Sequence, residues 1–150
     1  MVDTAIEALS PAINDPTTAV QALDQIEDLL IRLGRCNLDI GRYRDAQGAL
    51  RLVAWFPAWD DFLRLALDEI RFCGGNSVQV MRRMNALVRN LLGVLPAERH
   101  PALRRWEARI QGTVERSFSD ATEKQDASRA DGQGLGIAED DVQAPAPETR

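Results

Sequence analysis

The residues with the most chemical potential are crowded into one stretch, LSPAINDPTTAV at positions 9–20. Asn14, Asp15, Thr17 and Thr18 place four hydrogen-bonding side chains at the start of a predicted helix. Unpaired backbone N–H groups and the helix dipole attract anions at such a place. Asp15 competes with that use, because a capping carboxylate fills the position an anion would take. Two readings follow: a rigid corner that caps itself, or a loop that binds a ligand or docks a partner. Arg82 and Arg83 are the candidate anion contacts, to a free anion or a lipid phosphate. The alternative for them is ion pairing with neighbours such as Asp68 or Glu69. A small-molecule or anion-binding module requires all of these groups to meet in one concave pocket.

Other constellations are thin. His100 is the single histidine, so a His-based zinc site, a Ser-His-Asp triad or a Cys-His dyad would each hang on one residue in a predicted loop. Asp60-Asp61, Asp68-Glu69 and Asp140-Asp141 are adjacent pairs, and neighbours on a helix point about 100° apart. Asp24 and Asp28 share a helix face and could hold a metal only with a third ligand; a solvated face is the simpler expectation. The GQGLG run at 132–136 looks superficially like a phosphate loop, but it follows no strand and precedes no helix. Cys36 and Cys73 form no CxxC motif and are expected to be reduced and buried. No metal, cofactor or catalytic residue is expected, and the balance leans against an enzyme.

The elements that must position these residues can be read from periodicity. Val2, Ala5, Ile6 and Leu9 open a helix, and Pro11 forbids its continuation. Asp15 caps a second helix with Pro16 in its first turn. That helix buries Val20, Leu23, Ile26, Leu30 and Leu33, carries Asp24, Gln25 and Asp28 outward, and stops at Gly34. Residues 41–55 read as a β-hairpin, with strands at 42–44 and 49–55 around a DAQG turn in which Gly48 takes positive φ. Leu50, Leu52 and Ala54 should share one face. A lone ribbon is marginal in water, so it is expected to pack on the helices. A third helix at 58–73 buries Trp59, Leu63, Ala66 and Ile70, with Phe62 and Leu67 beside them. A fourth, capped by Asn76 or Ser77, buries the Met81 and Met84 face and ends at Pro96. A fifth at 101–118 buries Leu103, Trp106, Ile110 and Val114. The fold expected is mainly α: a single-core bundle of about five helices over residues 1–118, with one hairpin packed against it.

The chain has 150 residues and a net charge of −5. Residues 119–150 hold eight acids against three bases, without hydrophobic period or aromatic residues, and read as an acidic disordered tail. Residues 1–118 are therefore neutral, and no large basic field is expected to hold nucleic acid or an anionic membrane. The first residues lack the basic start of a secretory signal, and no apolar run approaches the roughly 18 residues of a membrane span. Taken alone, the chain reads as cytoplasmic.

ALSPAINDPTTAVQALDQIEDLL at 8–30 closely resembles the signature of a bacterial family of predicted membrane proteins of unknown function. DDFLRLALDEIRFCG at 60–74 and SVQVMRRMNALVRNL at 77–91 are similar to the helices that follow it. The resemblance covers most of residues 1–118. It implies a soluble portion following transmembrane helices that this chain does not contain, placed on the cytoplasmic face of the inner membrane. It supplies no catalytic residues. The function implied is a non-enzymatic interaction or regulatory domain, with the membrane-embedded region or another protein as partner through helix one and the INDP corner.

Overall fold

A computed structural model describes residues 1–133. The chain runs α1 (Val2–Ala8), α2 (Pro16–Arg35), β1 (Arg42–Arg44), β2 (Leu50–Val53), α3 (Trp59–Cys73), α4 (Val78–Val94), a 3-10 turn (Ala97–Arg99), α5 (His100–Ser117) and α6 (Ala121–Ser128). The Asp140-Asp141 pair, part of the GQGLG run and the tail at 134–150 lie outside the described residues.

The apolar stripes assemble one core around α4, which packs against α2, α5 and α6. Val80, Met81, Met84, Leu87 and Leu91 of α4 meet Leu23, Ile26 and Leu30 of α2, Leu63, Leu67 and Ile70 of α3, and Leu103, Trp106, Ile110 and Val114 of α5; all are buried. α1 closes one side against α2 and α3 through Ala5 and Ala8. Burial of such side chains contributes about 1.5–3 kcal/mol each, which drives the assembly.

Gly34 does not stop α2. The helix continues to Arg35 because the glycine is a contact point: a Cβ there would lie 2.6 Å from Leu95 Cδ1. Arg99 then satisfies the helix end, donating to the carbonyl oxygens of Gly34 (3.1 Å) and Cys36 (2.8 Å). In α3 the inner stripe runs through Leu67, while Phe62 and Ala66 are half-buried at its edge. His100 is a half-buried residue of α5, its Nε2 3.0 Å from the Leu95 carbonyl oxygen. The thiols are free and less buried than expected, Cys36 exposed and Cys73 half-buried.

The hairpin differs most from expectation. Its turn is as read: Gly48 has φ +81°, and the Asp45 carboxylate accepts from the amides of Gln47 and Ala49 and from Arg51 Nε. The Arg51 contact, followed by those amides, holds the Asp45 carboxyl below the ordinary aspartate value of 3.8. Tyr43 pairs with Leu52 but Arg44 pairs with Leu50, so Arg51 is bulged. A one-residue bulge shifts the side-chain alternation. Leu50 and Leu52 are thereby sent to opposite faces instead of sharing one. Among the described residues the ribbon is not covered by a helix, and all seven strand residues are exposed.

The boundary expected after residue 118 also moves. Asp120 caps α6 by accepting from the amides of Thr122 (2.8 Å) and Glu123 (3.1 Å). These contacts, Glu123 foremost, lower its pKa. Ala127 joins the core with no exposed surface, so residues 121–128 belong to the helical body.

Candidate functional site

The INDP corner is built from backbone demands. Asn14 sits at φ +47°, a left-handed conformation that asparagine tolerates better than most residues. Its amide donates to the Ser10 carbonyl at 2.9 Å, and the Asp15 amide donates to that of Ala8 at 2.7 Å. Asp15 Oδ1 then accepts from the amides of Thr17 (3.1 Å) and Thr18 (3.2 Å), and Oδ2 accepts from the Thr18 hydroxyl at 2.6 Å. The Thr18 hydroxyl, then its amide and that of Thr17, hold the Asp15 carboxyl below 3.8. Asn14, Asp15 and Thr18 are thus engaged in turning the chain, and the carboxylate fills the helix end itself. Thr17 contributes its amide, and its side chain is exposed.

Because the folded pKa of Asp15 is depressed, its contribution to stability is complete above 3.8 and is lost as pH falls through the folded value. Asp15→Ala is expected to lower Tm by a few degrees at neutral pH, and this difference should shrink in acid below pH 3.8. Thermal melts at pH 7 and at the acid limit of folding check this. An undiminished difference in acid would contradict the ionised cap.

Arg82 and Arg83 are drawn to different neighbours of α4, and neither pairs with Asp68 or Glu69. Arg82 Nε donates to the Asp126 carbonyl at 2.8 Å, and its Nη2 lies 3.3 Å from the carboxylate of the same residue. Arg83 is 4% exposed and donates to Asp24 Oδ1 (2.7 Å) and Glu27 Oε2 (2.5 Å). Glu27 is also buried, and its other oxygen accepts from Asn90 Nδ2. The structure therefore holds an α2–α4 polar lock rather than an open anion cradle. Asp24 is taken up by Arg83, and Asp28 has no part in the lock. Among the described residues no three His, Cys, Asp or Glu side chains converge as metal ligands.

A different concavity stands between α1, α2 and α3. It is a groove of about 240 Å³ lined chiefly by Met1, Val2, Leu29, Leu33, Phe62 and Leu65. Leu29 is 44% exposed and Leu65 65% exposed. Periodicity places the inner stripes but passes over this outer one; apolar Leu29 and Leu65 standing outside the stripes are the signal for it. Between α3 and α5 lies a polar cleft bordered by Asp68, Arg71, Arg109 and Arg116. There Arg71 donates to Asp68 and Thr113, and Arg109 stacks over Trp106 at 5.0 Å. No described helix is long and apolar enough to cross a membrane.

Comparison with known proteins gives these features a family. Three mycobacterial proteins are each 27% identical over 125 residues, covering 83% of this chain and 24% of their own length: Uncharacterized protein Mb1321c of Mycobacterium bovis, and Uncharacterized proteins MT1328 and Rv1290c of Mycobacterium tuberculosis. The chain thus spans about a quarter of the length of these relatives. No solved structure matches. The family model described as "Predicted membrane protein (DUF2254)" matches residues 1–90, from α1 and the INDP corner into α4, and the chain belongs to that family.

Proposed function

We propose that this chain acts as a non-enzymatic interaction domain on the cytoplasmic face of the membrane, seating an apolar helix from the membrane-embedded remainder of a family protein. The observation that carries this reading is the groove between α1, α2 and α3, whose walls are nearly all apolar. Uncovered apolar area of this kind marks an interaction site, and helix-in-groove docking is its simplest occupant. The remainder of a family protein is the nearest source of such a helix, since the chain matches only 24% of its relatives' length. An exposed free thiol at Cys36 suits a reducing compartment. The INDP corner fixes the α1–α2 angle and so the width of the groove, which gives its residues a positioning role.

Co-expression with the membrane-embedded remainder of a family protein, followed by detergent extraction, tests the reading. The chain should co-purify. Leu29→Glu combined with Leu65→Glu should lower recovery at least about tenfold, as expected for losing a buried apolar anchor. Both positions are exposed, so the helical circular-dichroism signal should not change. Equal recovery of the double variant, or no recovery of the parent chain, would overturn it.

A further inference from the structure

The hairpin is another place where apolar surface is left uncovered, and it does not belong to the groove. Within residues 40–56, Ile40, Tyr43, Leu50, Leu52, Val53, Trp55 and Phe56 are each more than 40% exposed, with Trp55 at 81%. Three arginines (Arg42, Arg44 and Arg51) and one aspartate (Asp45) accompany them. Asp45 is consumed by the turn and Arg51. The Arg42 side chain makes no hydrogen bond or ion pair among the described residues, although its backbone pairs with Val53 in the ladder. We propose that this ribbon is a shallow membrane anchor that inserts β2 into the interface of an anionic phospholipid bilayer.

The division of labour between the strands supports this occupant. β2 and the residues after it carry Leu50, Leu52, Val53, Trp55 and Phe56, with Arg51 neutralised by Asp45, whereas β1 carries Arg42, Tyr43 and Arg44. Paired strands lie about 4.8 Å apart. With β2 turned toward the bilayer, the β1 guanidiniums sit at headgroup height above side chains in the acyl boundary. Trp and Tyr favour that boundary because one end of each ring system is apolar and the other polar. Strands this short extend roughly 10–13 Å, which suits interfacial burial of about 5–10 Å and cannot cross a core of about 30 Å. The bulge puts apolar side chains on both faces of the ribbon. A bilayer interface surrounds such a ribbon; a flat protein surface covers one face. A second copy fits less well, since short bulged edges resist strand-to-strand addition and its arginines would meet arginines.

The full chain reports on its own insertion, because Trp59 and Trp106 are buried and Trp55 is exposed. Adding vesicles of phosphatidylglycerol and phosphatidylcholine should shift tryptophan emission to the blue and sediment the chain with the lipid. Phosphatidylcholine alone should do so weakly, and high salt should reverse the binding. Arg42→Glu should cut partitioning at least about fivefold, from a contribution near 1 kcal/mol per arginine. Val53→Asp with Trp55→Ala should abolish it while leaving the helical signal intact. Leu65→Glu in the groove should still bind, which separates this proposal from the docking role above. No emission shift or sedimentation with anionic vesicles, equal binding to zwitterionic ones, or unchanged binding of the Val53/Trp55 variant would each overturn it. So would a concentration-dependent dimer that forms in place of lipid binding and is lost in that variant.

Discussion

Arg83→Ala is expected to cost about 3–5 kcal/mol of folding stability, lowering Tm by roughly 2–4 °C for each kcal/mol. The side chain is 4% exposed and ties α2 to α4 by donating to Asp24 and Glu27. Its removal leaves the Glu27 carboxylate, 8% exposed, without its cation. An unpaired buried charge is what makes breaking such pairs costly, far more than the net attraction of the intact pair. Asn90 still donates to the other Glu27 oxygen, which keeps the expected loss nearer the lower bound. Asp24, whose side chain is 55% exposed, returns to water with little penalty. A second variant separates charge burial from lost packing: Arg83→Met with Glu27→Leu removes both charges at similar volume and should recover most of the stability. Urea midpoints at constant slope measure both. A loss below about 1 kcal/mol for Arg83→Ala would place it with surface pairs and show that no lock ties α2 to α4.

This lock shows where sequence reasoning reaches its end. The stripes of α2, α4 and α5 are legible because an apolar face repeats every three to four residues, whatever it packs against. Asp15 and Pro16 are legible because capping is local. Asn14 is readable in hindsight: an asparagine just before an Asp-Pro start supplies the left-handed residue that the reversal at Ser10 requires. Partner identity is different. Arg82 and Arg83 differ by one position, yet one reaches Asp126 on α6 and the other Asp24 and Glu27 on α2. Only the packing of three helices decides that. Glu27 does leave a trace, since it sits between Leu23 and Leu30 on the buried side of α2. The Arg51 bulge leaves none, because Leu50, Arg51 and Leu52 alternate as a regular strand would until the turn imposes its register.

Helix α6 carries almost no apolar pattern of its own, and its placement has a sharp consequence. Ala127→Glu should release α6 and destabilise the fold by roughly 2–4 kcal/mol, the range for forcing an unpaired charge into a packed site. The eight residues ATEKQDAS offer one apolar anchor, so their attachment is mostly polar. Asn85, 2% exposed, donates to the Ala127 carbonyl at 3.0 Å, and Arg82 donates to that of Asp126. Ser128 donates to Gln111 at 3.0 Å, and Lys124 to Glu115 at 2.8 Å. A glutamate at 127 cannot stay between α4 and α5 ionised and unpaired, so the helix must leave and the amide and guanidinium beneath it must be rehydrated. Limited proteolysis should then cut within residues 119–133 in the variant and spare them in the parent chain, and the thermal transition should fall with it. If this stretch were instead the start of a solvated acidic tail, the substitution would be silent in both measurements. The two behaviours differ because a buried alanine and an exposed one look alike in sequence, and only the helices packed around Ala127 make the difference cost free energy.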